Sequence, residues 1–192
     1  PSDIHLVTVG EIDAFISNAD MDRFDYCLGV TPSDCLKPFY PTSTRPGIKM
    51  AYLYLKDHIY RINNLHLARP ASLLAGPMIQ TIYNHRHQKR PWNRIVMSMV
   101  LLMAKRAMPV FLLYFLAQSA VLLSRFGLHR FANFFRQFLD RSNVEAAISG
   151  FLGIRFAAVE TKEGGAALDI DDERTYKTIS SVFSKWHDLL IR

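Results

Sequence analysis

The chain has 192 residues, 49% of them hydrophobic and 21% charged, with a formal net charge of +6. That length suits one domain with a buried core, and the composition excludes a generally disordered chain. The two cysteines, Cys27 and Cys35, form neither a zinc ligand set nor a disulfide framework, so we expect reduced thiols in a cytoplasmic protein.

The charge of the chain is unevenly distributed. Residues 85–94 read HRHQKRPWNR, whereas residues 169–173 read DIDDE. A basic excess suits phosphate-bearing substrates, nucleic acid or an anionic membrane surface, and it does not choose among them. Because no DNA- or RNA-binding motif accompanies the charge, we do not expect a nucleic acid partner.

The first 70 residues predict mixed α/β structure. Thr8 and Glu11 have capping-box spacing ahead of apolar positions, which predicts a short helix near 9–18. The other elements predicted here are a strand at 24–30, a helical turn at 31–39, a loop at 41–47, and strands at 48–57 and 58–64 that pair around a turn near Asp57.

Residues 77 to about 150 predict helices throughout. Pro109 suits the first turn of a new helical segment, and Gly127 separates a long apolar stretch from the segment that follows. That segment places four phenylalanines on one amphipathic face, namely Phe131, Phe134, Phe135 and Phe138. A further short helix is predicted to end at Gly150.

The last part of the chain, residues 151–192, returns to an α/β pattern. We predict a strand at 154–161, a glycine turn with a short strand at 164–171, and a helix from 172 to 190. This order predicts an α/β fold with one sheet, a large helical insertion at 77–150, and a single domain over residues 1–192.

Acidic side chains occur at two strand ends that are far apart in sequence. Asp3 precedes the first apolar run, and Asp169 and Asp171 lie just before the last predicted helix. Carboxylates from different strands of one sheet can meet and bind Mg²⁺, which neutralises phosphate charge during transfer reactions. The alternative is that these residues are solvated helix caps.

Two segments resemble motifs of MobA-like nucleotidyltransferases. Residues 2–16 (SDIHLVTVGEIDAFI) are similar to the family segment that carries a metal-binding aspartate, and residues 164–176 (GGAALDIDDERTY) are similar to its closing element. The resemblance implies a partial GT-A or Rossmann-like sheet. It also implies transfer of a nucleotidyl group from a nucleoside triphosphate to a phosphorylated acceptor, with release of pyrophosphate.

On this resemblance Asp3 and Asp171 are the catalytic residues. Asp3, Asp169 and Asp171 are the candidate ligands of Mg²⁺ or Mn²⁺, with Asp169 and Asp171 as alternatives for one ligand position. The sequence departs from the family at Ser2 and His5, where the family has glycine and proline.

The glycine-rich loop that holds the nucleotide in this family is absent from the sequence. The resemblance therefore covers the C-terminal portion of the family's domain, and the first residues, DIHLVTV, read as the middle of a strand. We expect a truncated domain that is inactive alone and is an enzyme only together with the missing N-terminal half.

Arg61 and Asn64 are the candidate substrate-binding residues. They lie where a family member has its acceptor region, and a guanidinium and an amide suit an anionic or hydroxyl-rich acceptor. The alternative is ordinary surface polarity, with Asn63-Asn64 as a turn.

Residues 107–124 form an apolar stretch of 18 residues without charge, flanked by Arg106 and Arg125. Three interpretations remain open: a buried or dimer-forming helical hairpin, a hairpin dipping into one leaflet of a membrane, or a single span. The second function hypothesis follows from them. It is a non-catalytic, membrane-peripheral or oligomerising module, located in the cytoplasm or at the inner face of the membrane.

Overall fold

The computed structural model describes residues 6–75, 92–170 and 173–190 and, within them, all side chains except those of 74, 75, 92–105 and 125. Asp3 and Asp171 therefore lie outside the described residues. The strands are β1 (Tyr26–Pro32), β2 (Leu53–Tyr54), β3 (Ile59–Ala68) and β4 (Phe156–Glu160). The α-helices are α1 (Val9–Asn18), α2 (Ser33–Leu36), α3 (Pro70–Ala75), α4 (Trp92–Arg125), α5 (His129–Arg136), α6 (Arg141–Leu152) and α7 (Glu173–Leu190), and short 3₁₀ turns occupy Lys37–Phe39 and Gly165–Ala167.

The described strands form one mixed sheet in the order β2-β3-β1-β4. β1 lies inside the sheet, antiparallel to β3 and parallel to β4. Helices α4, α5 and α6 lie between β3 and β4 in the chain, so the parallel pair is closed by a helical crossover. The predicted α/β fold is confirmed, and the sheet is consistent with a partial Rossmann-like arrangement.

Two buried clusters hold these elements together. Phe15 of α1 packs against Cys27 of β1 and against Ala157 and Val159 of β4. A second cluster forms around Trp186 of α7 from that helix, from the segment before α1 and from the segments that follow β1 and β4; its other members are Leu6, Leu36, Phe39, Met50, Ala167, Leu168 and Ile179. Residues beyond the carboxyl ends of the parallel strands are thus tied to the final helix.

The amino ends of β1 and β4 are joined by Asp25. Its carboxylate accepts from Nε and Nη2 of Arg155 at 3.0 and 2.7 Å, and from the Arg155 backbone N–H at 3.0 Å. Ser72 of α3 donates to the same carboxylate at 3.1 Å. A fork-to-fork pair of this kind fixes both position and orientation. It holds the start of the crossover to the start of β4.

Helix α6 covers the free edge of β4. The N–H of Ala158 donates to Oε1 of Glu145 at 2.9 Å, the guanidinium of Arg141 donates to the Ala158 carbonyl, and the N–H of Phe156 donates to Oγ of Ser149 at 3.0 Å. Side chains of one helix therefore satisfy backbone groups that an edge strand would otherwise expose. The helical insertion is docked on the sheet.

The helices of the insertion begin and end at positions that differ in part from the prediction. Pro109 does not open a new segment; it lies inside α4, which is continuous over 34 residues. An internal proline removes one backbone hydrogen bond, and here the long apolar helix continues on both sides of it. Two of the three interpretations of the apolar stretch assume a helical hairpin, and a hairpin within 92–124 is wrong, because the backbone there is a single helix. Gly127, with φ of 74°, does separate α4 from α5 as predicted.

Three smaller boundaries also differ. The helix predicted to end at Gly150 continues to Leu152 and is closed by Gly153, whose φ of 71° gives the left-handed cap. The short strand predicted after the glycine turn is instead a 3₁₀ turn, since residues 168–170 have no strand partner. The strand predicted at 48–57 is reduced to the two residues of β2.

We expect Asp25→Asn to lower the free energy of unfolding by about 1–3 kcal/mol, because it removes the charge that Arg155 pairs with. Hydrogen bonds from Arg155 hold the pKa of Asp25 well below its ordinary value of 3.8. The stability that Asp25 contributes is therefore present above that value and lost as the pH falls below it. Urea unfolding between pH 3 and 7 measures this, and the gap between wild type and variant should close towards acid.

Asp34→Asn is the matched control. Asp34 also pairs with a basic side chain, Lys37, but both side chains are 75% exposed. Its unfolding midpoint should equal that of the wild type. A gap for Asp25→Asn that stays constant across pH would contradict the role given to its charge.

Candidate functional site

The carboxyl ends of β1 and β4 lie at the same edge of the sheet, because the two strands are parallel and in register from Tyr26–Phe156 to Val30–Glu160. The N–H of Thr161 extends this pairing by donating to the Val30 carbonyl at 2.9 Å. Residues 161–169 then form the turn that leads from β4 towards α7. In α/β sheets this edge is where ligands bind.

Arg61 of β3 reaches this turn. It pairs with Thr31 across the β1–β3 ladder, and its Nε donates to the Ala167 carbonyl at 2.7 Å. Its Nη2 forms an ion pair with Oδ1 of Asp169, and the two side chains are 15% and 23% exposed. A charged pair in this half-buried position is screened less by solvent than a surface pair. Two of the sequence-predicted residues therefore lie in direct contact.

Behind the Arg61–Asp169 pair lies a fully buried group of polar side chains. Nδ2 of Asn63 donates to Oγ1 of Thr31 at 3.1 Å and to Oγ1 of Thr161 at 3.0 Å. Oδ1 of Asn63 accepts from the Leu65 N–H at 3.0 Å. This amide links β3 to β1 and to the first residue after β4, where the β1–β3 register shifts between Leu28 and Val30. It takes the space that Gly29 leaves, because a Cβ at Gly29 would overlap the Asn63 amide.

Glu11 of α1 completes this buried group. Its residue exposure is 0%, and its two carboxylate oxygens accept from backbone N–H groups of the turn, at 3.2 Å from Gly164 and 2.8 Å from Ala166. The Thr161 hydroxyl donates to it at 3.3 Å. Burial raises the pKa of Glu11, and these backbone hydrogen bonds oppose the rise. The carboxylate of α1 thus organises the turn that carries Asp169.

The two glycines of the turn are required for different reasons. Gly164 has φ of 90°, a conformation that favours glycine, and a Cβ at Gly165 would overlap the carbonyl of Leu6. The backbone at Leu6 therefore lies against this same turn. Glu163 lies beside it and raises the pKa of Glu11 further, and its Oε2 is buried without a hydrogen-bond partner.

The sequence-predicted residues fall into three groups. Arg61 and Asp169 are in contact, Asn64 is exposed on β3, and Asp3 and Asp171 lie outside the described residues. Among the residues that the structure describes, no three His, Cys, Asp or Glu side chains cluster as a metal site. Asp169 is the one candidate metal ligand whose surroundings are described.

Sequence reasoning missed Glu11, Asn63 and Thr161. Glu11 was taken as half of a capping box, and its backbone N–H does donate to Oγ1 of Thr8 at 3.0 Å. Its carboxylate, however, goes to the turn after β4. Asn63 was placed in the strand predicted at 58–64, with a turn at Asn63-Asn64 as the alternative; the structure confirms the strand and buries its side chain, with 1% exposure. An acidic residue in an amphipathic helix gives no local signal that its partner is 150 residues away.

No protein-family model matches this chain, and neither does any curated protein. Among solved structures, it is similar to one described as a hypothetical transferase from Thermus thermophilus, with a TM-score of 0.54 and 16% identity. The match covers 90% of this chain and 59% of that chain. At this identity the likeness shows a shared fold. The chain spans less than two thirds of the length of that protein.

We expect Glu11→Ala to lower the free energy of unfolding by about 2–4 kcal/mol, because two turn N–H groups and a threonine hydroxyl lose their acceptor in a buried site. Glu11→Gln should cost less, about 1–3 kcal/mol, since an amide oxygen replaces one of two acceptors. The raised pKa means that the contribution of Glu11 falls as the pH rises above its ordinary value of 4.5. The gap between wild type and Glu11→Gln should therefore shrink as pH rises.

Chemical unfolding at pH 4.5 and 8 measures both effects. Asp13→Asn, at an exposed position of the same helix, is the control and should leave stability unchanged. Equal stability of Glu11→Ala and wild type would show that the carboxylate does not hold the turn.

Gly29→Ala should be destabilising by about 1–3 kcal/mol, because the added methyl overlaps the side chain of Asn63. Gly150→Ala, inside α6 with no atom within 4 Å of the added methyl, should be neutral or stabilising by up to about 1 kcal/mol. Thermal unfolding compares the two alanines directly. Combining Gly29→Ala with Asn63→Ala should recover part of the loss if the overlap is its cause, and an additive double variant would exclude it.

Proposed function

We propose that this chain is the C-terminal part of a MobA-like nucleotidyltransferase domain. The complete domain transfers a nucleotidyl group from a nucleoside triphosphate to a phosphorylated acceptor. An oxygen of the acceptor phosphate attacks the α-phosphorus, the bond from that phosphorus to the β-phosphate oxygen breaks, and pyrophosphate leaves. The likeness of fold to a hypothetical transferase, together with the two sequence motifs, supports this assignment.

The observation that carries the proposal is the contact between Arg61 and Asp169 at the carboxyl edge of β1 and β4. Asp169 belongs to the closing motif, and its carboxylate is held in one orientation by a guanidinium that is itself anchored on the Ala167 carbonyl. A carboxylate positioned in this way keeps its second oxygen available for a further ligand.

In this proposal Asp169 or Asp171 holds Mg²⁺ or Mn²⁺ together with Asp3. The described residues fit such a role in one respect: an oriented carboxylate faces the edge where sheets of this class bind ligands. A divalent ion bound there would offset phosphate charge during transfer. The position of Leu6 against Gly165 supports the pairing with Asp3, which precedes Leu6 by three residues in the sequence.

Arg61 has a positioning role in this arrangement. It fixes the carboxylate of Asp169, and its charge lowers the electrostatic cost of bringing the phosphate groups of an acceptor to this edge. Asn64, exposed two residues beyond the β1–β3 pair of Ile62 with Val30, remains the proposed contact for acceptor hydroxyl groups.

Binding of Mn²⁺ to the 192-residue chain tests the metal assignment without needing turnover. Free Mn²⁺ is followed by electron paramagnetic resonance during titration, with and without pyrophosphate. We expect saturable binding that Asp169→Asn and Asp3→Asn each weaken by about ten-fold or more, because each removes a charged ligand.

Asp188→Asn is the matched control, since Asp188 is an exposed carboxylate of α7 with 67% of its side chain accessible. Its Mn²⁺ affinity should equal that of the wild type. Thermal unfolding of each variant identifies any loss of fold. Wild-type affinity in a folded Asp169→Asn variant would remove Asp169 from the site, and absence of saturable binding to the wild type would end the metal-dependent proposal.

A further inference from the structure

Helix α4 carries an apolar segment that the rest of the described chain leaves uncovered. Arg106–Ser124 is the one segment of the described residues that is long and apolar enough to cross a membrane by length and composition, with mean hydropathy 1.8. Only 11% of this segment is buried. The core helix of a soluble domain would be mostly buried, so this one is not a core helix of the described fold.

Three of the exposed apolar side chains of α4 form a stripe along the helix. Phe111, Phe115 and Leu122 are 65%, 66% and 55% exposed, and their spacing puts them on the same side of the helix. On the opposite side of the helix Ala120 is buried, and α4 contacts α5 and α6. The stripe is therefore an outer surface of a helix whose inner surface already has a partner.

The apolar surface continues past the end of α4 into α5. Phe126, in the turn between the helices, is 73% exposed, and Phe131 and Phe134 of α5 are 62% and 54% exposed. Arg106 and Arg130 flank this surface and are exposed as well. We call Phe111, Phe115, Leu122, Phe126, Phe131 and Phe134 the α4–α5 face. An amphipathic helix with phenylalanines on one side and basic residues beside them is typical of membrane-surface helices.

The segment of sequence that carries this face has charged residues of one sign. Residues 58–139 contain eleven Lys and Arg and no Asp or Glu, although the chain has 17 acidic residues. The remainder of the chain has twelve basic and 17 acidic residues, a formal charge of −5. The net positive charge of the protein therefore comes from the part of the sequence that carries the exposed apolar side chains.

We propose that the α4–α5 face docks onto the surface of an anionic lipid bilayer, with its phenylalanines among the acyl chains and its basic residues at the headgroups. The charge of the surrounding sequence is complementary to acidic phospholipids, which attract each nearby Lys or Arg. The exposed aromatic side chains provide the apolar burial that keeps a helix in the interface.

The same observations favour a bilayer over a second copy of this chain. A two-fold dimer through this face would bring the surface into contact with itself. Basic residues would then meet basic residues, since residues 58–139 contain no carboxylate to pair with them.

The sheet argues against a single span. β3 precedes the insertion, β4 follows it, and both strands pair with β1. One crossing by α4 would put these two strands on opposite sides of the membrane. The α4–α5 face therefore lies along one membrane surface, and α6, docked on β4, holds it there relative to the sheet.

Vesicle flotation of the full 192-residue chain tests the proposal. The probes are phosphatidylcholine vesicles with and without about 30% phosphatidylserine. We expect the wild type to float with the anionic vesicles, to float much less with pure phosphatidylcholine, and to be released by about 0.5 M salt. The double variant F131E/F134E should reduce the bound fraction by about ten-fold or more, because it places carboxylates where phenylalanines enter the interface.

Tyr176→Glu is the matched control, an aromatic of α7 that is 55% exposed and lies outside the face. It should float like the wild type, and circular dichroism should show that both variants are folded. Failure of the wild type to bind anionic vesicles would overturn the proposal, as would equal binding by F131E/F134E. A lipid-free dimer that F131E/F134E converts to monomer, without vesicle binding, would also overturn it and assign the face to a second copy.

Discussion

The buried carboxylate of Glu11 is the interaction on which the arrangement of this protein depends. Placing an acidic side chain at 0% exposure is costly, and part of the cost is offset by backbone N–H groups of the turn after β4 and by the Thr161 hydroxyl. Through Thr161 and Asn63 the same network reaches β1 and β3. Helix α1, strands β1 and β3 and the turn that carries Asp169 are thus fixed by a single connected group of polar atoms.

A network of this kind separates structural roles from ligand-facing ones. Glu11, Asn63 and Thr161 are buried and have all their partners within the protein, so they set the shape of the turn. Arg61 and Asp169 lie one layer further out, with partial exposure and with donor and acceptor capacity left over. The chemistry we propose belongs to this outer layer, and its precision depends on the inner one, because an oriented carboxylate needs a rigid backbone beneath it.

Local sequence patterns were sufficient to predict most helices and strands, but not the contacts between them. The helix at 9–18, the strand β4 and the final helix were all predicted from periodicity and capping signals, because those signals are local. The continuity of α4 through Pro109 was not predicted. The hydrogen bond lost at the proline is outweighed by the hydrogen bonds of the long helix on both sides of it. Likewise, Arg61 and Asp169 were separately identified as polar candidates, but their contact joins strand β3 to a turn 108 residues later, which spacing alone cannot reveal.

The position of β1 explains why the helical insertion can expose so much apolar surface without weakening the sheet. The strand before the insertion, β3, and the strand after it, β4, both pair with β1, one on each side. Asp25 and Arg155 also join the start of β1 to the start of β4. Side chains of α6 hydrogen-bond the backbone at the β4 edge, so this edge of the sheet does not need α4 to cover it. The outer side of α4 and α5 consequently does not pack against the rest of the described chain. The basic composition of residues 58–139 and the exposed phenylalanines are then to be explained by what lies outside the protein, and an anionic bilayer surface accounts for both.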